Sequence, residues 1–97
     1  MAYLNKPKKI ARNRTSLDRL FYNTSAWHNC RINYLKDNNL CEICKENNVI
    51  KLASDVHHIV YLSSVDSLNE KFAIGLDYNN LKALCKECHQ NIHKNNK

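Results

Sequence analysis

Two pairs of cysteines constrain the fold of this chain more than any other feature. Cys41 and Cys44 form one pair, and Cys85 and Cys88 form the other, each with two residues between the thiols. This spacing lets both thiolates of a turn point at one ion, and four sulfurs satisfy tetrahedral zinc with no open position. The pattern therefore predicts a structural zinc that joins the first pair to the start of the last helix, with a β-hairpin inserted between the pairs. Unmetallated or disulfide-bonded cysteines are the alternative.

The short length of the chain makes such a site important. Its 97 residues form one domain, and a domain of this size buries only about 60% of its unfolded surface or slightly more. A hydrophobic fraction of 43% is too high for a disordered chain. No apolar run approaches the roughly 18 residues that cross a membrane, and the N-terminus lacks the apolar stretch of a secretory signal. We therefore expect a cytoplasmic protein, in which cysteines serve as metal ligands more often than as disulfides.

Positive charge is concentrated near the N-terminus. The net charge is +6, which favours a polyanionic partner without separating DNA from RNA or an acidic membrane face. We interpret residues 1–15 as a flexible basic arm that contacts phosphates, and a solvated tail is the alternative. The basic residues of this arm are Lys6, Lys8, Lys9, Arg12 and Arg14.

The sequence predicts two helices and two strands around the cysteine pairs. Thr24 or Ser25 is a good N-cap for a helix that stops at Asp37-Asn38-Asn39. A place on the apolar face of this helix favours a core position for Trp27 over base stacking, and a buried free thiol for Cys30. The remaining predictions are a strand over 51–61, a long polar connection at 62–78, a second strand or its equivalent at 79–84, and a helix over 86–96.

Four histidines form the other constellation. His57 and His58 are adjacent on the first predicted strand, so their side chains point to opposite faces unless the backbone is bulged. His89 and His93 lie four residues apart on the last helix and share one face. With His57 they can hold one metal with an open position, while His58 stays free as a neutral base. The alternatives are a surface position for His93, a solvent-facing ring for His57 and a simple capping role for Asn80.

These segments together resemble the phage-type HNH endonucleases, which are ββα-metal nucleases built on a zinc-bound, treble-clef-like finger. The resemblance runs from about Phe21 to His93 and consists of four pieces in the family's order. The pieces are 21–27, 40–44, 55–59 and 80–89. The resemblance implies an α+β domain over residues 16–97, with an N-terminal helix and a structural zinc bound by the four paired cysteines.

The resemblance also implies a role for each residue that matches the family's motif. His58 matches the general base that activates water, Asn80 the asparagine that braces the hairpin loop, and His89 a ligand of the catalytic metal. His57 stands where many relatives carry an aspartate ligand. A similar His-His pair, with two histidines four apart on the helix as in His89 and His93, occurs in the colicin DNases. Nitrogen ligands suit Zn²⁺, Ni²⁺, Co²⁺ or Mn²⁺ better than Mg²⁺.

The activity implied by the resemblance is metal-dependent hydrolysis of a DNA phosphodiester, leaving 5′-phosphate and 3′-hydroxyl ends. We expect a monomer, and Arg31, Lys86 and Lys94 are expected to hold the DNA backbone together with the basic arm. Small phage proteins of this kind are often encoded near the packaging terminase and can act with it. Two other functions stay open, namely a non-catalytic zinc-dependent nucleic-acid-binding module and an RNA-directed nuclease.

Overall fold

The computed structural model describes residues 16–95, with only the backbone at residue 95. The predicted basic arm, residues 1–15, lies outside this range and remains a prediction, as does the domain boundary at residue 16. The α+β class is confirmed. In chain order the elements are α1 (Ser16–Tyr22), α2 (Ser25–Asp37), α3 (Glu42–Glu46), β1 (Asp55–His58), α4 (Leu68–Gly75), β2 (Leu81–Leu84) and α5 (Lys86–Asn95).

The predicted helix after Thr24 is confirmed as α2. The Thr24 side chain accepts a hydrogen bond from the backbone N–H of Trp27 at 3.2 Å, which satisfies one of the unpaired donors of the first turn. Trp27 is buried in the core, as predicted from its face of the helix. Cys30 is only half-buried, and its thiol lies 3.8 Å from the carbonyl of Leu76.

Three boundaries differ from the sequence-based predictions. The strand expected over 51–61 pairs only over Asp55–His58, because the chain beyond it turns to bond with Asn80. The second strand begins at Leu81, after a 3-10 turn over Tyr78–Asn80. The connection at 62–78 contains α4, whose first turn is closed by a reciprocal capping box between Ser67 and Glu70.

The two strands form an antiparallel sheet whose register places the histidines. His57 pairs with Lys82, and His58 pairs with Leu81. Since residues directly opposite each other share a face and neighbours alternate, Asp55, His57 and Lys82 lie on one face. Helix α5 and the cysteine cluster pack against this face, whereas α1 and α2 pack against the other.

The core of the second face is centred on Phe21, which is fully buried. Its ring lies 5.5 Å from that of Trp27 and 5.3 Å from that of Phe72, measured between centroids. A Cβ on Gly75 would clash with the Phe21 ring, so the single glycine of the chain is required for this close approach. The approach fixes the end of α4 beside β1.

A buried ion pair fastens α4 to its neighbours. The Lys71 ammonium lies 2.7 Å from the Asp18 carboxylate of α1, and both side chains are almost fully buried. The ammonium also donates to the carbonyls of Leu62 and Val65 at 2.8 Å each. This arrangement pairs the two buried charges, and it ties the segment after β1 to α4 through the carbonyls of Leu62 and Val65.

Candidate active site

The four cysteines lie close enough together to bind one ion. Their ligand atoms are within 4.8 Å of one another, and the Cys44 sulfur lies 3.9 Å from that of Cys85 and 3.7 Å from that of Cys88. Sulfurs about 2.3 Å from a tetrahedral zinc are separated by roughly 3.8 Å, which the two separations from Cys44 match.

The thiol of Cys41 is prepared for this role by its surroundings. Burial raises its pKa, but hydrogen bonds from the backbone N–H groups of Cys44 and Cys85 and from the neighbouring thiols outweigh this effect. The net result lowers the pKa of Cys41 to about 6. A thiol with that pKa is mostly ionised at neutral pH, and the thiolate is the form that binds metal.

The histidines meet in a cleft along the free edge of β1, which we call the histidine cleft. It has a volume of about 470 Å³, and all four candidate histidines border it. Three consecutive residues of β1 line this cleft, which is possible because it runs along the strand edge and receives side chains from both faces. Its lining consists of Asp18, Tyr22, Val56, His57, His58, Tyr61, Leu62, Ser63, His89 and His93.

Three of these histidines form a second group of converging donors. Each of His57, His89 and His93 offers a nitrogen within 4.8 Å of the others. The Nε2 atoms of His89 and His93 are 3.1 Å apart. Two nitrogens about 2.0–2.1 Å from one ion would be separated by roughly 2.9–3.4 Å, so the pair fits a shared cation. Burial, together with the neighbouring imidazoles and Lys82, lowers the pKa of His57 to about 4, so the ring is neutral near pH 7.

Asp55 orients one of these rings, although its sequence position alone does not mark it as a site residue. Its Oδ2 accepts a hydrogen bond from His89 Nδ1 at 2.9 Å, which leaves the Nε2 lone pair of His89 directed toward His93. Burial raises the pKa of Asp55, but hydrogen bonds from His89 and Ser54 and the charge of Lys86 lower it below its usual value. Asp55 and His57 are two residues apart on β1, so strand alternation was the available signal.

His58 lies outside this donor group, in an aromatic enclosure. Its ring is 4.8 Å from that of Trp27 and 6.0 Å from those of Phe21 and Tyr22. Its Nε2 lies 3.1 Å from the Gly75 carbonyl. A carbonyl only accepts, so the proton is on Nε2 and the lone pair is on Nδ1. Burial lowers the pKa of His58, although the bond to Gly75 opposes this effect, so the ring is a neutral proton acceptor near pH 7.

Among the hydrogen-bond partners of His58, the Tyr22 hydroxyl is the one that lies at this Nδ1 lone pair. The distance from Tyr22 Oη to His58 Nδ1 is 3.5 Å, the long limit of a hydrogen bond, so the contact is weak. A water molecule that enters the cleft can replace it as the donor to Nδ1. The sequence offered no direct signal for Tyr22, since its approach depends on how α1 packs.

Asn80 braces the segment that follows β1. Its Oδ1 accepts from the Val60 backbone N–H at 2.7 Å. Its Nδ2 donates to the carbonyls of Val60 and Ile74 at 3.1 and 2.9 Å. Ile74 precedes Gly75, so the same amide stabilises the turn after β1 and the carbonyl that holds His58.

The predicted DNA contacts lie in different environments. The Arg31 guanidinium donates to the Ser54 carbonyl at 3.1 Å, next to Asp55. Lys86 is exposed and lies 3.5 Å from the Asp55 carboxylate, and Lys94 is exposed on α5. These three positions remain predictions for DNA binding, and the five basic residues of the arm lie outside the described residues.

Comparison with known proteins decides the family. A sequence model described as HNH endonuclease matches residues 41–95, more than half of the chain. The chain belongs to the HNH endonuclease family. Its members are metal-dependent nucleases, so this HNH chain is an enzyme of that kind. The matched range contains both cysteine pairs and the four clustered histidines.

A solved structure supports the same assignment. The HNH chain is similar to the HNH endonuclease of the deep-sea thermophilic bacteriophage GVE2, crystallised with a manganese ion. The two share 36% sequence identity with a TM-score of 0.66, over 79% of this chain and 78% of the phage protein. A comparison with curated protein sequences finds no match. Within residues 16–95, no helix has both the length and the apolar character needed to cross a bilayer.

Proposed function

We propose that this HNH protein hydrolyses DNA phosphodiester bonds, with His58 as the general base and a divalent cation held by His57, His89 and His93. The observation that carries the proposal is that the four histidines of one cleft have different environments. Three imidazoles converge on a point, while the fourth borders the same cleft with its Nε2–H bonded to the Gly75 carbonyl and only a long contact from the Tyr22 hydroxyl at its Nδ1.

The proton transfer follows from the tautomer of His58. A water molecule donates to Nδ1, and its proton moves to that nitrogen as the oxygen forms a bond to phosphorus. The bond from phosphorus to the 3′ oxygen breaks on the opposite side, and the leaving oxygen takes a proton from solvent water, giving a 5′-phosphate and a 3′-hydroxyl. A cation bound by the three histidines would supply positive charge near the phosphate oxygens and the leaving 3′ oxygen.

The surroundings of the base hold its imidazole ring in position. The Gly75 carbonyl fixes the ring plane, Asn80 fixes the segment that carries this carbonyl, and Trp27 covers one face of the ring. Replacement of His58 by Ala should therefore reduce plasmid nicking by about 10²–10⁴-fold. Zinc content and DNA binding should stay near wild-type values.

The matched control is His28→Ala, because His28 is exposed on α2 and borders neither the histidine cleft nor the cysteine cluster. Nicking at the wild-type rate by His58→Ala would refute the assignment of the base. Nicking that persists in a chelator that removes the exchangeable ion would refute the requirement for metal.

The nature of the ions belongs to the same proposal. The four cysteines are assigned a structural Zn²⁺, supported by sulfur separations that match a zinc tetrahedron. The histidine set is assigned Mn²⁺, Zn²⁺, Ni²⁺ or Co²⁺ ahead of Mg²⁺, because imidazole suits these ions better. Metal analysis should find one tightly held zinc and a second ion that a chelator removes.

A non-catalytic nucleic-acid-binding module is the second candidate, and the positioned Asp55–His89 pair argues against it because zinc binding by cysteines has no need of it. A plasmid assay with and without chelator separates the two, and structured RNA tested in parallel decides the substrate.

We further propose that the protein acts as a monomer in the host cytoplasm and with a packaging terminase. Its similarity to a bacteriophage enzyme supports this setting, and co-purification from infected cells tests it.

A further inference from the structure

We propose that a second phosphate-binding subsite adjoins the histidine cleft, in which Lys82 and Ser63 bind the DNA phosphate next to the scissile one. This inference rests on the proposed function, since it takes a DNA strand in the histidine cleft as its starting point. Neither residue belongs to the metal ligands or to the base.

The subsite is a separate concavity of about 470 Å³ that shares a wall with the histidine cleft. His57, Tyr61 and Ser63 line both spaces, so the two are adjacent. Beyond this wall the lining changes to Lys82 and Ser64, with Ile59 and Ile92 at the sides. No carboxylate lines this concavity within the part of the chain that the structure describes, so it presents positive charge without an adjacent acid.

Lys82 is placed here by the register of the sheet. It is the direct cross-strand partner of His57, so the two side chains leave the same face with Cβ atoms about 4.5–5.5 Å apart. Its side chain is half-buried. Lys51, Lys71 and Lys86 are each paired with a carboxylate, but the Lys82 ammonium forms no ion pair with any residue from 16 to 95.

Ser63 supplies the second donor. Its hydroxyl has no hydrogen bond to another described residue, and it stands at the boundary between the two spaces. The neighbouring Ser64 hydroxyl donates to the Tyr61 carbonyl at 2.6 Å, which fixes the turn that presents Ser63. Lysine and serine are both common ligands of phosphate oxygens in DNA complexes.

The distance along the DNA favours the adjacent phosphate. Phosphates of one strand follow each other at about 3.4 Å of helix axis, and the subsite is separated from the metal ligands by a single cross-strand pair. A phosphate bound by Lys82 therefore belongs to a nucleotide beside the cut. Its role is to set the position of the scissile bond against His58.

The first test maps where a neutral linkage blocks cutting. Duplexes carrying random methylphosphonates are cut, and the products show which linkages, counted from the cut, must be charged. Wild-type protein should exclude the neutral group at one linkage next to the cut by roughly tenfold. Lys82→Gln should lose most of that exclusion, Lys82→Arg should restore it, and Ser63→Ala should weaken it. Lys36→Gln, which removes the same charge from an exposed part of α2, should keep it.

The second test needs no cleavage. With the exchangeable metal chelated, the logarithm of the DNA-binding constant is plotted against the logarithm of the salt concentration. The magnitude of the slope should be smaller by about 0.9 for Lys82→Gln than for the wild type, with unchanged zinc content. An unchanged slope together with an unchanged exclusion pattern would overturn the subsite. A wild-type protein that binds DNA but never cuts it would instead refute the proposed function, and the salt slope would still decide the role of Lys82.

Discussion

The hydrogen bond between Asp55 and His89 should have a measurable effect on the affinity of the proposed histidine site for its cation. Asp55→Asn keeps the shape of the side chain but removes its negative charge. In the wild-type protein that charge strengthens the hydrogen bond that Asp55 Oδ2 accepts from His89 Nδ1 at 2.9 Å. Loss of a carboxylate behind a histidine ligand typically weakens metal binding by about 10–100-fold. The side chains of Asp55 and His89 are 21% and 24% exposed, and Lys86 already offsets part of the charge. We therefore expect the lower end of this range, about tenfold or 1.4 kcal/mol.

The assay is calorimetric titration of Mn²⁺ into protein that retains its zinc and has lost its exchangeable ion. Glu87→Gln is the matched control, because it makes the same chemical change on α5 at a side chain that is 77% exposed and paired with Lys51. Asp55→Ala should weaken binding more than Asp55→Asn, since it also frees the ring to rotate. Affinities within twofold of wild type for both Asp55 variants would refute the orienting role.

Three further outcomes are expected. Gly75→Ala places a Cβ against the Phe21 ring, so the melting temperature should fall by an amount equivalent to about 1–3 kcal/mol, and nicking should fall with it; wild-type values of both would contradict the packing argument. Burial lowers the pKa of His58, so at saturating metal kcat/KM should be lost only as pH falls through a midpoint below about 6.5, and a midpoint above 7 would exclude His58 as the base. Cys85→Ser should lose zinc and its cooperative melting transition, whereas a folded Cys85→Ser protein would show that zinc is dispensable.

Local signals predicted much of the fold. The Cys-x-x-Cys pairs and the N-cap at Thr24 depend on a few neighbouring residues, and both elements formed where expected. Helix α4 lies in a segment whose polarity predicts a connection, although Ser67-Leu68-Asn69-Glu70 is a capping-box sequence that indicates a helix. The C-terminal end of β1 was not predictable, since it is set by hydrogen bonds that Asn80 accepts from Ile59 and Val60, 21 and 20 residues away.

The site was predictable where residues are close in sequence or on one helix. His89 and His93 share a helical face and offer nitrogens close to one of His57, as expected, while the role of the three as metal ligands stays a prediction. The contacts that orient these rings were harder to predict, because Asp55, Tyr22 and Gly75 reach the histidines through tertiary packing. Lys82 shows the same limit, since its place beside His57 depends on a register that only the pairing of the two strands defines.

Pulsed EPR of the Mn²⁺-loaded protein tests most directly whether three imidazoles hold the cation while the fourth stays unligated. Nitrogen couplings from three histidines are expected in the wild-type protein, unchanged in His58→Ala and reduced in His89→Ala. Couplings that disappear in His58→Ala, or Mn²⁺ without any histidine nitrogen, would contradict the division of roles from which the proposed mechanism follows.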